Sequence, residues 1–125
     1  MRQQPSAWTA EFYVTSRGDR VVEDFIDNLS TRDQVKIRNY IRLLCENGVK
    51  LREPYAAPLT NHNPLWELKP DPHRLLYFAH AGRRFVMLNV FRKTRMRILA
   101  RHTDTAKRRM SEFLERENDR QEHSV

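Results

Sequence analysis

Three strand-like runs lie close together in the middle of the chain, and they constrain its fold more than any other feature. The runs are LWELK, RLLYFAH and RFVMLNVFR, and only the segments PDPH and AGR separate them. Both separators are short enough to form hairpin turns, so the three runs predict an antiparallel meander. We expect the apolar residues at alternate positions to give one face that a helical hairpin covers. These residues are Leu76, Phe78, Phe85, Met87 and Val90.

The segments before the meander predict a strand and that helical hairpin. In WTAEFYV, apolar and polar side chains alternate, which is typical of a half-buried strand that pairs at a sheet edge. In VVEDFIDNL and QVKIRNYIRLLCEN, apolar residues recur every three or four positions, as they do in helices. Gly48 follows at the place where a residue with positive φ ends a helix. Prolines at positions 54, 58 and 64 predict a loop over residues 49–64.

The C-terminal part predicts one more helix. The run TDTAKRRMSEFLERE carries its apolar residues on one side, and Thr103 or Asp104 is placed to cap it. The predicted element order is therefore β-α-α-β-β-β-α, and the predicted fold class is α+β. We expect a single domain over residues 1–117 and a disordered tail over residues 118–125.

The chain is strongly basic. Its 23 Lys and Arg residues against 16 Asp and Glu residues give a formal net charge of +7, which favours an anionic partner. A single cysteine excludes an internal disulfide, and no apolar run reaches the roughly 18 residues that cross a bilayer. The first residues, MRQQPSAWTAEF, lack the apolar core of a secretory signal. We therefore expect a cytoplasmic protein that does not enter a membrane.

The positive charge is concentrated in LNVFRKTRMRILARHTDTAKRR, residues 88–109, where Asp104 is the only acid. A solvated coat of charge is one interpretation of such a cluster, since charges also protect strand edges from pairing. A surface that binds a polyanion is the other interpretation. The alternation of the neighbouring strands favours the second.

In LWELK, alternation places Glu67 and Lys69 on the side opposite Trp66, which we expect to face the core. Arg74 opens the next strand, and the hairpin brings it close to Lys69. The cations from Arg92 onward leave the third strand and fold over the same side. These segments together predict a phosphate-binding surface.

The order of elements and several short motifs resemble the RelE superfamily of bacterial toxins, in particular its HigB-like, phage-derived branch. The motifs are VVEDFIDNL in the first helix, LWELK and RLLYF in the middle strands, VMLNVFRKT in the last strand and AKRRMSEFL in the last helix. They cover most of the chain from Trp8 to Glu117. The resemblance implies a RelE-like fold, in which a helical hairpin packs on one face of an antiparallel sheet.

The resemblance also implies an activity and partners. Toxins of this kind are endoribonucleases that cleave messenger RNA, commonly on the ribosome, and a cognate antitoxin neutralises them. We expect contact with operator DNA only through that antitoxin. The residues we predict to act in catalysis are Lys69, Arg74, Arg92 and Lys93. The residues we predict to bind RNA are Thr94, Arg95, Arg97, Arg101 and His102.

Cleavage of this kind needs no metal or other cofactor, because RNA supplies its own nucleophile, the 2′-hydroxyl, and cations stabilise the developing charge. We expect Arg74 and Arg92 to hold the phosphate oxygens, since a planar guanidinium binds two of them at once. The candidates for the general base are Lys69, Lys93, His73 and His102. Glu67 matches the glutamate of the W-E-L motif, where an ion pair with a nearby Arg is as consistent as a chemical role.

Two other functions fit the same residues. The first is a non-catalytic protein that keeps the basic surface and acts through its antitoxin, in a DNA-bound autoregulatory complex. The second is a phage-encoded binder of host RNA or of the ribosome.

Overall fold

The computed structural model describes residues 7–123, and this part of the chain folds as a mixed α+β structure with a five-stranded sheet and three α-helices. The strands are β1 (Thr9–Phe12), β2 (Ala56–Pro58), β3 (Trp66–Leu68), β4 (His73–His80) and β5 (Arg84–Arg92). The helices are α1 (Val21–Asp27), α2 (Thr31–Asn47) and α3 (Ala100–His123), with a short 3₁₀ turn at Gly48–Lys50.

The sheet has the strand order β1-β5-β4-β3-β2. Strands β3, β4 and β5 form the predicted antiparallel meander, and β1 pairs with β5 at one edge, as the sequence indicated. The pairing of β1 with β5 is parallel, however, so the sheet is mixed and not antiparallel throughout. The opposite edge carries β2, which lies in the segment that we predicted to be a loop. Ala56 pairs there with Leu68, and Pro58 is tolerated because an edge strand needs no donor on its outer side.

A β-bulge interrupts the pairing of β4 with β5. Leu76 pairs with Asn89, whereas Tyr77 pairs with Met87, so Leu88 is an extra residue in β5. A bulge of this kind shifts the alternation of the strand that contains it. Before Leu88 the odd-numbered residues of β5 share one face of the sheet, whereas after Leu88 the even-numbered residues lie on that face.

Helices cover both faces of the sheet. Phe25 of α1 contacts the ring of His73 with centroids 6.1 Å apart, and Phe113 of α3 contacts Phe78 with centroids 6.0 Å apart. Because His73 and Phe78 differ in parity along β4, the two helices lie on opposite faces. The prediction of one common apolar face is therefore wrong. Leu76 and Phe78 lie on the α3 side, whereas Phe85, Met87 and Val90 lie on the side of the hairpin.

The hairpin α1–α2 buries most of its predicted apolar stripe, although Phe25 remains 37% exposed. Val22, Ile26 and Ile37 are fully buried, and so is Leu44 with 1% exposure. The hydroxyl of Ser30 accepts a hydrogen bond from the Asp33 amide and caps the N-terminus of α2. Together these contacts seat the hairpin on its face of the sheet.

Gly48 ends α2 with φ 66° and ψ −148°, a backbone region that glycine alone populates readily. A Cβ at this position would lie 2.9 Å from Nε1 of Trp8. We expect Gly48→Ala to lower the free energy of unfolding by about 2–5 kcal/mol, because it adds a steric overlap to backbone strain. Chemical denaturation measures the loss.

Gly18→Ala is the matched control for this prediction. Gly18 also has a positive φ of 92°, but nothing lies within 4 Å of its Cβ position. Gly18→Ala therefore measures the cost of backbone strain alone, and we expect it to lower the free energy of unfolding less than Gly48→Ala does. Equal losses in the two variants would contradict the role of Trp8.

Helix α3 is longer than predicted at both ends. It begins at Ala100, so Thr103 is a buried residue within the helix and not its cap. It continues beyond Glu117 to His123 in the segment that we predicted to be disordered, and Arg120 pairs with Glu117 at 3.3 Å across this extension. Residues 124 and 125 lie outside the described part. No helix within residues 7–123 combines the length and the apolar content needed to cross a membrane.

Candidate nucleic-acid interface

A pocket lies where β5 ends, between the loop that follows it and the first turn of α3. We call it the basic pocket. All five residues predicted to bind RNA line it, together with Arg92 and Lys93 from the predicted catalytic set. The lining residues are Phe91, Arg92, Lys93, Thr94, Arg95, Arg97, Ile98, Leu99, Arg101 and His102.

The pocket holds a concentration of uncompensated positive charge. Five of its lining residues are Lys or Arg, and none is Asp or Glu. Among residues 7–123, none of these five cations forms an ion pair. Arg38 and Arg42 of α2, by contrast, pair with Asp27 and Glu46. Like charges crowded without acids raise the local concentration of anions.

His102 has a fixed place in the pocket. Its ring stacks on Phe91 with centroids 3.8 Å apart and an interplanar angle of 1°. Its backbone carbonyl accepts a hydrogen bond of 3.1 Å from Nδ2 of Asn89. Burial, and then the charge of Arg101, lower the pKa of His102 from its usual 6.5. The imidazole is therefore neutral near pH 7 and able to accept a proton.

Arg74 lies beside the pocket but does not line it. It pairs across the sheet with Phe91, so both side chains project toward α3. Its Nη1 lies 2.6 Å from Oδ1 of Asp71, and its Nε lies 3.3 Å from Oε1 of Glu67. The Nε–H is not directed at Glu67, so that contact is an ion pair without a hydrogen bond. Of the two roles considered for Glu67, the ion pair with a nearby Arg is thus present.

Asp71 connects Arg74 to the rim of the pocket. The hydrogen bond from Arg74 is the main cause that lowers the pKa of Asp71, and the charges of Lys36 and Lys93 act in the same direction. The carboxylate of Asp71 therefore stays ionised and holds the guanidinium of Arg74 in place. This arrangement makes Arg74 a neighbour of the basic pocket whose charge is already compensated.

Lys69 lies apart from the pocket lining. Its Nζ donates to both carboxylate oxygens of Glu53, at 2.7 and 2.9 Å. The partner is sixteen residues earlier in the chain, and the pairing of β2 with β3 brings the two together. Lys69 therefore does not line the basic pocket with Arg92 and Lys93.

His73 faces the hairpin and is 2% exposed. Burial lowers the pKa of His73, and the charge of Arg92 adds to this while Asp33 opposes it. Its Nδ1 has no hydrogen-bond partner among the described residues. His73 is therefore a buried residue whose ring contacts Phe25 of α1, and His102 is the histidine that lines the pocket.

A family model described as "Phage derived protein Gp49-like (DUF891)" matches residues 24–111. The chain belongs to this Gp49-like family. The matched region runs from α1 through the basic pocket into α3. The family is associated with the toxins of toxin–antitoxin systems, and membership implies an antitoxin as partner. A search of curated proteins gives no match.

Two residues of this Gp49-like protein support the pocket although the sequence patterns predicted no role for either. Phe91 provides the surface on which His102 stacks. Asn89 is 9% exposed, binds the His102 carbonyl, and accepts a bond of 3.4 Å from Arg109. The signal was a single amide inside the apolar run FVMLNVF, because a buried amide needs partners.

Proposed function

We propose that this Gp49-like protein is the toxin of a type II toxin–antitoxin system and a metal-independent endoribonuclease that cleaves messenger RNA, with the ribosome as the expected setting. One observation carries the proposal: five cations without an ion pair among residues 7–123, and a histidine of lowered pKa, line one pocket. The association of the family with toxins supports it.

Binding in this proposal depends on the cations of the pocket. Arg92, Arg95 and Arg97 present guanidinium groups that suit the oxygens of consecutive phosphates. Because no acid among the described residues neutralises them, each contact with RNA would release a counterion, and binding would weaken as salt rises.

Catalysis in this proposal begins with a ring nitrogen of His102, which takes the proton from a 2′-hydroxyl. The 2′-oxygen then attacks the adjacent phosphorus, and the bond from phosphorus to the 5′-oxygen breaks. Arg92 stabilises the negative charge that develops on the phosphate oxygens. The ammonium group of Lys93 supplies a proton to the leaving 5′-oxygen. The products are a 2′,3′-cyclic phosphate and a 5′-hydroxyl, and exchange with water restores both side chains.

Arg74 has a supporting role in this scheme, because Asp71 and Glu67 compensate its charge. It shares the α3 side of the sheet with Phe91, and its ion pairs fix the side chains beside the pocket. Lys69 is not assigned a chemical role, since Glu53 occupies its ammonium group. Lys69 and Arg74 thus differ from the cations in the pocket, because each of them forms an ion pair with an acidic residue.

The function is tested by expressing the chain in bacteria and by incubating the purified protein with messenger RNA. Metal independence is tested on free RNA in the presence of a metal chelator, and the effect of ribosomes is tested separately in the Mg²⁺ that keeps them assembled. We expect growth arrest, and RNA fragments that end in a cyclic phosphate. Replacing Arg92, Lys93 and His102 together by alanine should abolish both. A protein that only binds would retain RNA without any product, and that result would overturn the nuclease assignment.

A further inference from the structure

We propose that the exposed side of the first turns of α3 continues the basic pocket as a second RNA-binding surface. This surface consists of Arg101, Lys107 and Arg108, and we call it the α3 strip. The inference rests on the proposed function, which it deepens by giving the bound strand a path. The pocket holds the phosphate that reacts, and the α3 strip holds the backbone next to it.

The charges of α3 are segregated along its length. Residues 100–109 contain four Lys or Arg and one acid, whereas residues 110–123 contain two Arg and five acids. The helix dipole favours the opposite order, with acids near the N-terminus and cations near the C-terminus. The first turn of α3 has no acid at all. Stability of the helix therefore does not account for the order, and an external anion does.

The cations of this half have different surroundings. Arg109 is partly buried, donates a bond of 2.9 Å to the carbonyl of Leu88, and lies over the ring of Tyr13 at 5.2 Å. It serves the packing of α3 on the sheet. Lys107 and Arg108 are exposed, and neither has an ion pair among residues 7–123.

The α3 strip begins at the pocket itself. Arg101 lines the pocket and also opens the strip. Arg108 follows seven residues later on the same side of the helix, about 10.5 Å along the axis at 1.5 Å per residue. Asp104 lies between Arg101 and Arg108, and its negative charge weakens the positive electrostatic potential of the strip. Beyond Ser111 the exposed side becomes acidic, so a polyanion is held over the first turns of α3 and repelled from the rest.

Binding of RNA oligonucleotides with 2′-O-methyl groups, which cannot be cleaved, tests this path. An oligonucleotide of about 4 nucleotides places one phosphate in the pocket and spans little beyond it, whereas one of about 12 also reaches the α3 strip. We expect the longer one to bind the wild type more tightly. The double variant Lys107→Ala, Arg108→Ala should lose that gain, and its logarithmic salt slope should fall by about 1.4.

Two further variants sharpen the test. Asp104→Asn removes the acid from the strip and should tighten binding of the longer oligonucleotide. The double variant Arg38→Ala, Arg42→Ala removes the same amount of charge from α2, on the other face of the sheet, and should leave the gain intact.

Each contrary outcome has a definite meaning. If the gain with length persists without Lys107 and Arg108, or if the α2 control loses it equally, the α3 strip is not an RNA surface. Arg92→Ala would still weaken binding of the short oligonucleotide, and the proposed function would stand. A wild type that binds neither oligonucleotide would overturn both proposals. Loss of affinity for an antitoxin alone would make the strip a protein-binding surface and overturn the inference.

Discussion

His102→Ala is expected to lower the kcat of RNA cleavage by roughly 10²–10⁴-fold, the usual contribution of a general base. The affinity for RNA should change far less, because the five cations of the basic pocket remain. Single-turnover cleavage and equilibrium binding of an uncleavable oligonucleotide measure the two effects separately.

The pH profile distinguishes a base from a merely structural residue. The base acts in its neutral form, and the pKa of His102 lies below its usual 6.5 in the folded protein. We therefore expect kcat/KM to stay high as pH falls through 6.5 and to drop only at lower pH, with that lower limb missing in His102→Gln.

The replacement also removes a ring from the stack with Phe91, so folding must be checked by thermal denaturation. His62→Ala in the loop before β3 is the matched control, since His62 does not line the pocket. Unchanged kcat in both folded His102 variants would remove His102 from the mechanism.

Arg92→Ala is expected to reduce kcat/KM by roughly 10²–10³-fold, the cost of removing one group that stabilises charge in the transition state. Arg92 is exposed and has no acidic partner among the described residues, so its loss leaves no buried charge unpaired. Stability should therefore stay within about 0.5 kcal/mol of the wild type.

Arg92→Lys keeps the charge but loses the planar fork that binds two oxygens, and it should recover only part of the activity. Arg17→Ala, in the exposed turn between β1 and α1, removes the same charge at a distance and should act like the wild type. An equal loss in Arg17→Ala would mean that net charge, and not the position of Arg92, governs the rate.

The sequence predicted the meander, the edge strand and the hairpin because each depends on local periodicity. It did not predict β2, because a strand of three residues that includes Pro58 is too short to show an alternation of apolar and polar residues. This strand forms only by pairing with β3. Nor did it predict the bulge at Leu88, which separates apolar residues that the pattern had grouped on one face. When helices cover both faces of a sheet, apolar residues occur on both faces, and the sequence shows no alternation that would assign each residue to one face.

The clustering of the pocket residues, unlike their role, follows from local sequence. The lining of the basic pocket comes from the continuous segment from Phe91 to His102, so sequence proximity and spatial proximity coincide. Lys69 and Arg74 depend on partners brought by the fold, and Glu53 is sixteen residues away from Lys69. Whether a surface lysine is free or neutralised cannot be read from its neighbours along the chain.

The ring of His102 near the start of α3 stacks on the ring of Phe91 near the end of β5. This non-covalent contact closes the loop between the two elements. The geometry of the anion site therefore depends on how the first turn of α3 packs on the sheet. A regulator that moved the first turn of α3 away from the sheet would separate His102 from Phe91 and disrupt the pocket, even though it contacted none of the arginines.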